Sequence, residues 1–180
     1  MEKNKYLLLK EQFGHVGSFC LWSLPTHGLK SNTFDLSVFE QDDIETILTD
    51  KVVWVDMYGS KEYQNRRDGR KISWMNFHSD KARQNDYKLR FALQDTSYWG
   101  SYITPLWKNT NISLEENLIL LEKELSILNP KIIVALGGNV YKALREQFSN
   151  QYKILVVKQP SFDIKVEEYR NEILEKLADY

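Results

Sequence analysis

Lys131-Ile-Ile-Val-Ala-Leu-Gly137 decides the fold class of this 180-residue chain. Five consecutive apolar residues follow a charged one, and a second glycine, Gly138, precedes a helical pattern. A parallel strand is covered by helices on both faces, so it is apolar throughout rather than alternating. The stretch therefore predicts a buried parallel strand that ends in a tight turn at the carboxyl edge of a sheet.

Three other segments have the same apolar character and are predicted to be further strands: Lys51–Tyr58, Ser101–Leu106 and Lys153–Lys158. Helical patterns alternate with these strands. The alternation predicts an α/β fold, a three-layer α/β/α sandwich with a central, mostly parallel, four-stranded sheet. We expect one domain over residues 1–180, with residues 1–50 forming an irregular segment packed on it.

A capping box predicts where one of these helices begins. Ser113 is a good N-cap, and Glu116 stands three residues later, so each side chain can bond the other residue's backbone N–H. Asn129-Pro130 is predicted to end the helix. Its apolar stripe consists of Leu114, Leu118, Leu121, Leu125 and Leu128.

The composition is that of an ordinary globular protein, with 42% hydrophobic and 27% charged residues. The single cysteine, Cys20, excludes an internal disulfide framework and a Cys-based zinc cluster, and its apolar neighbours predict a buried, inert thiol. The three histidines lack zinc-ligand spacing, so we expect no metal. No apolar run approaches the roughly 20 residues that span a bilayer, and the short, badly flanked run Tyr6–Leu9 leads us to expect no secretory signal. We therefore expect a cytoplasmic monomer that does not enter membranes.

Charge is unevenly distributed although the formal net charge is only −1. Residues 31–50 carry six acids and no base, whereas residues 61–90 carry nine Lys or Arg and four acids. Both regions could be solvated surface, or the basic one could meet phosphate while the acidic one faces away. Residues 60–79 form a long polar connection, a candidate functional loop. Its predicted DNA-phosphate contacts are Arg66, Arg67, Arg70 and Lys71.

Four segments, in order, resemble motifs of the uracil-DNA glycosylase superfamily. Leu120–Gly137 resembles its helix–strand unit, and Trp99–Lys108 resembles its "GxYITDxVK" strand. Val52–Gly59 and Lys158–Phe162 stand where the family has its first and second active-site motifs. The resemblance covers about residues 50–165. It implies a glycosylase fold, DNA as the partner and a reaction that needs no cofactor.

The chain departs from the family pattern where the base is read. Gln159 begins the second motif, where the family has His or Asn, and Asp56–Gly59 lacks the proline of the first motif. Thr104-Pro105 stands where the family strand has Thr-Asp. These departures point away from uracil and toward an altered pyrimidine, such as a hypermodified cytosine of phage DNA. The role would then be antiviral defence.

Asp56 and Gln159 are the predicted catalytic residues. A glycosylase flips the nucleotide out of the helix, and breaking the N-glycosidic bond then develops positive charge on the sugar and negative charge on the base. The Asp56 carboxylate would stabilise the cation and orient water, and the Gln159 amide would donate to the departing base oxygen. Alternatively, Asp56 is a structural acid that caps the Gly59 turn or pairs with an arginine.

Five further residues are predicted to contact the substrate. Tyr58 and Phe77 would wall the pocket or stack on the base, and Asn76 would read its edge. His78 would donate to base or phosphate, and Ser161 would bind phosphate. Three of them also have a structural interpretation: Tyr58 as a half-buried strand-end aromatic, His78 as a satisfied histidine and Ser161 as ordinary turn chemistry.

Two other functions fit the same residues. One is a non-catalytic binder of nucleic acid or nucleotide that has lost the proton-transferring histidine. The other is a different α/β enzyme, such as a nucleoside hydrolase.

Overall fold

The computed structural model describes residues 1–59, 72–79 and 85–180. In these ranges its strands are β1 (Ser18–Phe19), β2 (Thr49–Tyr58), β3 (Ser101–Trp107), β4 (Ile132–Leu136) and β5 (Lys153–Val157). Its α-helices are α1 (Lys3–Phe13), α2 (Asp86–Leu93), α3 (Leu114–Leu128), α4 (Gly138–Phe148) and α5 (Val166–Leu177). Two short 3₁₀ helices, Ser37–Phe39 and Ile44–Thr46, precede β2. No helix in these ranges is both long and apolar enough to cross a membrane.

The strands form one mixed sheet in the order β1-β3-β2-β4-β5. The four predicted strands are confirmed as parallel neighbours. The prediction of a four-stranded sheet is wrong, because β1 adds a fifth strand antiparallel to β3, with Ser18 opposite Ile103. A two-residue strand is too short to show any hydrophobic period, so the sequence pattern did not reveal it.

Helices cover both faces of the sheet, and successive residues of β2 point to opposite faces. Val53 and Val55 pack in one core cluster with side chains from α1, α3 and α4. Val52 and Trp54 pack in a second cluster with side chains from α2 and α5. We call this second side of the sheet the α2–α5 face. The α/β class is thereby confirmed.

Residues 1–50 are less irregular than predicted, because they contain helix α1. Its buried side chains, Tyr6, Leu9 and Phe13, recur at helical spacing, but Leu7-Leu8 between them is exposed and obscures the period. Tertiary packing supplies the stability that a short helix lacks alone. The Met1 ammonium also donates to the carbonyl oxygens of Glu45 and Leu48, which anchors the start of the chain.

The capping box at the start of α3 is confirmed. Ser113 Oγ accepts from the Glu116 N–H at 3.1 Å, and Glu116 Oε2 accepts from the Ser113 N–H at 2.8 Å. Asn129 adopts the left-handed conformation at the end of the helix. Of the predicted leucine stripe, Leu121, Leu125 and Leu128 are buried, whereas Leu114 and Leu118 lie nearer the surface.

Substituting Ser113→Ala is expected to lower the free energy of unfolding by about 1 kcal/mol, because the cap loses its acceptor. Urea denaturation measures the change. Ser126→Ala is the matched control in the same helix, since its exposed hydroxyl only bonds the Glu122 carbonyl within α3. We expect the control to stay within about 0.5 kcal/mol of the parent protein. Equal losses in the two variants would contradict a capping role.

Candidate active site

The carboxyl edge of the sheet brings Asp56 and Gln159 together. Asp56 lies near the end of β2, and Gln159 lies in the turn after β5. Gln159 Nε2 donates to Asp56 Oδ1 at 2.9 Å, although the two residues are 103 positions apart. Because β4 lies between β2 and β5, this hydrogen bond crosses the end of β4.

Gly137 forms the turn next to this crossing. It follows β4 directly with a φ of 99°, which glycine adopts without the steric penalty of a side chain. A Cβ placed on it would lie 3.7 Å from the Cβ of Gln159. The glycine predicted to end β4 therefore lies beside Gln159, at the edge where Gln159 meets Asp56.

The position of Asp56 follows from its strand. Val52 and Trp54 face α2 and α5, and the two-residue period places Asp56 on the same face. The order in which strands are added to the sheet also reverses at β2. The next strand in the chain, β3, lies on one side of β2, whereas β4 and β5 lie on the other side. In open α/β sheets, ligands bind beyond the carboxyl ends of the strands at such a switch point.

Asp56 is a half-buried carboxyl group whose charge is poorly compensated. Burial raises its pKa from 3.8 to about 6, and the hydrogen bonds from the Met57 N–H and from Gln159 limit this rise. Both hydrogen bonds go to Oδ1, at 2.7 Å and 2.9 Å. In the described ranges, no lysine or arginine forms an ion pair with Asp56. A carboxyl that titrates near neutrality in such a place is a candidate functional group.

Tyr58 and Ser161 lie at the open rim of this edge. Tyr58 is 52% exposed at the end of β2, beside Trp107 of β3. Ser161 is exposed in the turn that carries Gln159. The sequence interpretation did not single out Phe162, whose side chain is 56% exposed and whose carbonyl accepts from Lys88 Nζ at 2.7 Å. The rim therefore offers two exposed aromatic rings and a hydroxyl to a ligand.

Asn76 and His78 lie in the interior, where their polar atoms contact the backbone. Asn76 Nδ2 donates to the Val16 carbonyl at 2.6 Å. Each ring nitrogen of His78 lies 2.9 Å from a carbonyl oxygen, that of Asn76 for Nδ1 and that of Leu21 for Nε2. Burial lowers the pKa of His78. These contacts tie segment 72–79 to the N-terminal part of the chain, which agrees with the structural interpretation of His78.

Phe77 is a core residue rather than an open stacking platform. Its side chain is only 5% exposed and belongs to the cluster on the α2–α5 face, together with Trp54. Its carbonyl accepts from the Trp22 indole at 3.0 Å. Phe77 therefore lies on the same side of the sheet as Asp56, beneath the surface.

Arg66, Arg67, Arg70 and Lys71, the predicted phosphate contacts, lie outside the described residues. Their role stays a prediction.

Gly59 explains what Asn76 does for the site. A Cβ on Gly59 would overlap the buried side-chain amide of Asn76, so segment 72–79 packs directly on Gly59, the residue that follows β2. The sequence analysis named both residues but did not predict their contact. The two residues are 17 positions apart, and the contact depends on the close approach of Asn76 to the backbone of Gly59. Asn76 thus packs against the end of the strand that carries Asp56.

We expect Gly59→Ala to lower the free energy of unfolding by about 1–3 kcal/mol, because the added methyl must displace a hydrogen-bonded, buried amide. Gly138→Ala is the control, since a Cβ there meets nothing within 4 Å and Gly138 begins α4. The control should be neutral or gain up to about 1 kcal/mol. Thermal and urea unfolding of the two variants give the comparison. A neutral Gly59→Ala would show that Gly59 and Asn76 are not in contact in solution.

A buried charged network lies on the opposite face of the sheet. Glu124 of α3 accepts from the Tyr102 hydroxyl at 2.7 Å and the Thr104 hydroxyl at 2.9 Å, and its Oε2 lies 2.7 Å from Lys108 Nζ. Lys108 Nζ also donates to the Pro105 carbonyl at 2.8 Å. The Thr104 hydroxyl is therefore bound to Glu124. The network also holds α3 against β3.

Two sequence comparisons give no match. No protein-family model matches the chain, and no curated protein is similar to it in sequence. Among the described residues, no group of three or more His, Cys, Asp or Glu side chains could hold a metal ion. The functional conclusion therefore depends on the geometry of this chain's own residues.

Proposed function

We propose that this chain is a monofunctional DNA glycosylase with a uracil-DNA glycosylase-like fold. It would flip a modified or damaged pyrimidine out of DNA and hydrolyse its N-glycosidic bond, leaving an abasic site. The 2.9 Å contact between Asp56 and Gln159 supports this most directly. It joins the two segments that resemble the superfamily's active-site motifs, at the sheet edge where α/β proteins bind ligands.

The two residues have complementary tasks in this reaction. The bond between C1′ and the base nitrogen breaks, and its electron pair leaves with the base. The Asp56 carboxylate stabilises the positive charge at C1′ and accepts a proton from the water that attacks there. Gln159 Nε2 carries two hydrogens, so one can stay on Asp56 while the other is donated to the base oxygen. The departing base takes its proton from solvent.

The proposed substrate is an altered pyrimidine rather than uracil. Gln159 replaces the family's His or Asn, and Thr104, which stands at the family's base-reading strand, is bound to Glu124 inside the core. A site whose base-contacting residues differ from those of the family would bind a different base. We propose hypermodified cytosines of phage DNA as the substrate class, with the protein acting as a monomer in the cytoplasm in antiviral defence.

A catalytically inactive binder of nucleic acid or nucleotide is the second candidate. One observation favours it: His78, the histidine predicted to contact the substrate, is buried with both ring nitrogens against backbone carbonyls. Gln159 cannot transfer a proton either. In this case, the same edge would hold a base or phosphate without cleaving a bond.

An abasic-site assay separates the candidates. The purified protein is incubated with oligonucleotides that contain uracil, hydroxymethylcytosine or glucosylated hydroxymethylcytosine, and alkali-labile breaks are scored. Asp56→Asn is the test variant, and Asp50→Asn, at the amino end of the same strand, is the matched control. Breaks with the parent protein and the control, but not with Asp56→Asn, support the glycosylase. Salt-dependent binding without breaks supports the binder, and base release from free nucleosides identifies a nucleoside hydrolase.

A further inference from the structure

Tyr169 of α5 carries a hydroxyl that the fold does not use. Its side chain is fully buried, and among the described residues its hydroxyl has no hydrogen-bond partner. Burying an unpaired hydroxyl is unfavourable, and a phenyl ring would fill the same space without that cost. The hydroxyl therefore adds nothing to the stability of the structure as it stands.

The position of Tyr169 connects this hydroxyl to the candidate active site. The ring packs in the cluster on the α2–α5 face, with Trp54 and Val157, and this is the face toward which Asp56 projects. Burial, and then the negative charges of Asp56 and Glu172, raise the pKa of Tyr169, with Cys20 adding a smaller effect. The hydroxyl thus stays protonated and lies within electrostatic reach of Asp56.

Asp56 will need a further donor once a substrate covers it. Both of its hydrogen bonds go to Oδ1, and no hydrogen bond from the described residues reaches Oδ2. In the open site, water can solvate Oδ2. A bound base displaces that water, which would disfavour the carboxylate at the moment when its charge is needed. Tyr169 is the buried side-chain donor in the described ranges that has no acceptor.

We propose that Tyr169 is a positioning residue for Asp56, whose hydroxyl donates to Oδ2 when the substrate occupies the site. This rests on the proposed glycosylase function. The added hydrogen bond keeps Asp56 ionised in the enzyme–substrate complex, so that the carboxylate can stabilise the sugar cation.

Glu172 is the competing acceptor. It lies three residues further along α5, and its Oε2 also has no hydrogen-bond partner among the described residues. Its Oε1 accepts from the Lys158 N–H at 2.8 Å, and the Lys158 ammonium lies 3.3 Å from Oε2. If the Tyr169 hydroxyl bonded Glu172 in solution, its role would be structural, and removing it would destabilise the protein.

Thermal unfolding distinguishes these two roles. Tyr169→Phe is expected to keep or raise Tm, because it removes an unpaired hydroxyl. Tyr98→Phe is the matched control, since the Tyr98 hydroxyl donates to the Leu177 carbonyl of the same helix at 2.8 Å. We expect the control to lower Tm by about 2–4 °C. A similar fall in Tyr169→Phe would overturn the proposal.

The pH dependence of base release tests the role itself. The acid limb of the pH profile of kcat/KM reports the pKa of Asp56 in the free protein. The acid limb of the kcat profile reports the pKa of Asp56 in the enzyme–substrate complex. In Tyr169→Phe, the kcat limb should move up by about one pH unit, with a roughly five- to tenfold lower kcat near pH 6. The kcat/KM limb should not move.

The outcomes separate the two proposals. If the parent protein forms no abasic sites on any of the DNAs, the glycosylase function fails, and the role of Tyr169 fails with it. If the parent protein is active and the kcat limb of Tyr169→Phe is unmoved, the glycosylase stands and the Tyr169 role alone is overturned.

Discussion

Replacing Asp56 by asparagine should nearly abolish base release while making the protein more stable at neutral pH. Asparagine keeps a side-chain oxygen to accept from Met57 and Gln159, but it removes the negative charge. Loss of an electrostatic group that acts on the transition state lowers kcat about 10²–10³-fold. Single-turnover assays on the preferred DNA measure this loss. Unchanged rates would exclude Asp56 from the chemistry.

The gain in stability follows from the raised pKa of Asp56. The carboxyl titrates at 3.8 in the unfolded chain and at about 6 in the folded protein, so the folded state holds the proton more tightly. The resulting stabilisation is present below pH 3.8 and is lost as the pH rises through 6. At pH 8, the ionised carboxylate therefore destabilises the fold by up to about 3 kcal/mol.

Asparagine removes this penalty, so the variant should gain up to about 3 kcal/mol at pH 8 and nothing below about pH 4. Urea denaturation of both proteins at several pH values measures the difference. The same ionisation predicts that base release by the parent protein falls as the pH drops below about 6. A difference in stability that does not change with pH would show that Asp56 is stabilised by a partner in solution.

Substituting Glu124→Leu is expected to have the largest effect on stability, a loss of about 3–5 kcal/mol. It leaves the Lys108 ammonium buried without a counter-charge, since both side chains are almost fully buried. For a chain of this size, the loss corresponds to a fall in Tm of roughly 10 °C. Thermal and urea denaturation give the value.

Two controls isolate the unpaired lysine. The double variant Glu124→Leu/Lys108→Met removes the same acceptor from Tyr102 and Thr104 but leaves no buried charge, and it should recover most of the loss. Glu122→Leu changes an exposed residue of the same helix and should stay within about 0.5 kcal/mol of the parent protein. A double variant as unstable as Glu124→Leu would mean that the hydroxyls, and not the charge, account for the loss.

Local pattern was sufficient for much of the architecture. The four parallel strands were recognisable because each is apolar over its length, and α3 was recognisable because Ser113 and Glu116 form a cap that depends on neighbouring residues alone. The strand β1 and helix α1 escaped this reasoning. The first has two residues, and the second is held by tertiary contacts rather than by a clear period.

The sequence likewise predicted one part of the candidate site and missed another. Asp56 was singled out as the acid at the carboxyl edge of an apolar strand, and Gln159 because it stands where the resembled glycosylase motif has His or Asn. Asn76, Phe77 and His78 had suitable chemistry for a substrate site, but the sequence does not record which of their groups meet backbone carbonyls and the core. Tyr169 gave no signal, because a tyrosine on an amphipathic helix is ordinary until its hydroxyl is found without a partner.

The sequence by itself determined the class of fold and the direction of its strands, and it placed Asp56 at a carboxyl end. These depend on hydrophobic period and on turn residues, which act over a few neighbouring positions. The tertiary structure alone decided the strand order, the buried Glu124–Lys108 pair and the surroundings that raise the pKa of Asp56. These depend on which distant side chains exclude water together, and burial of that kind has no local signature.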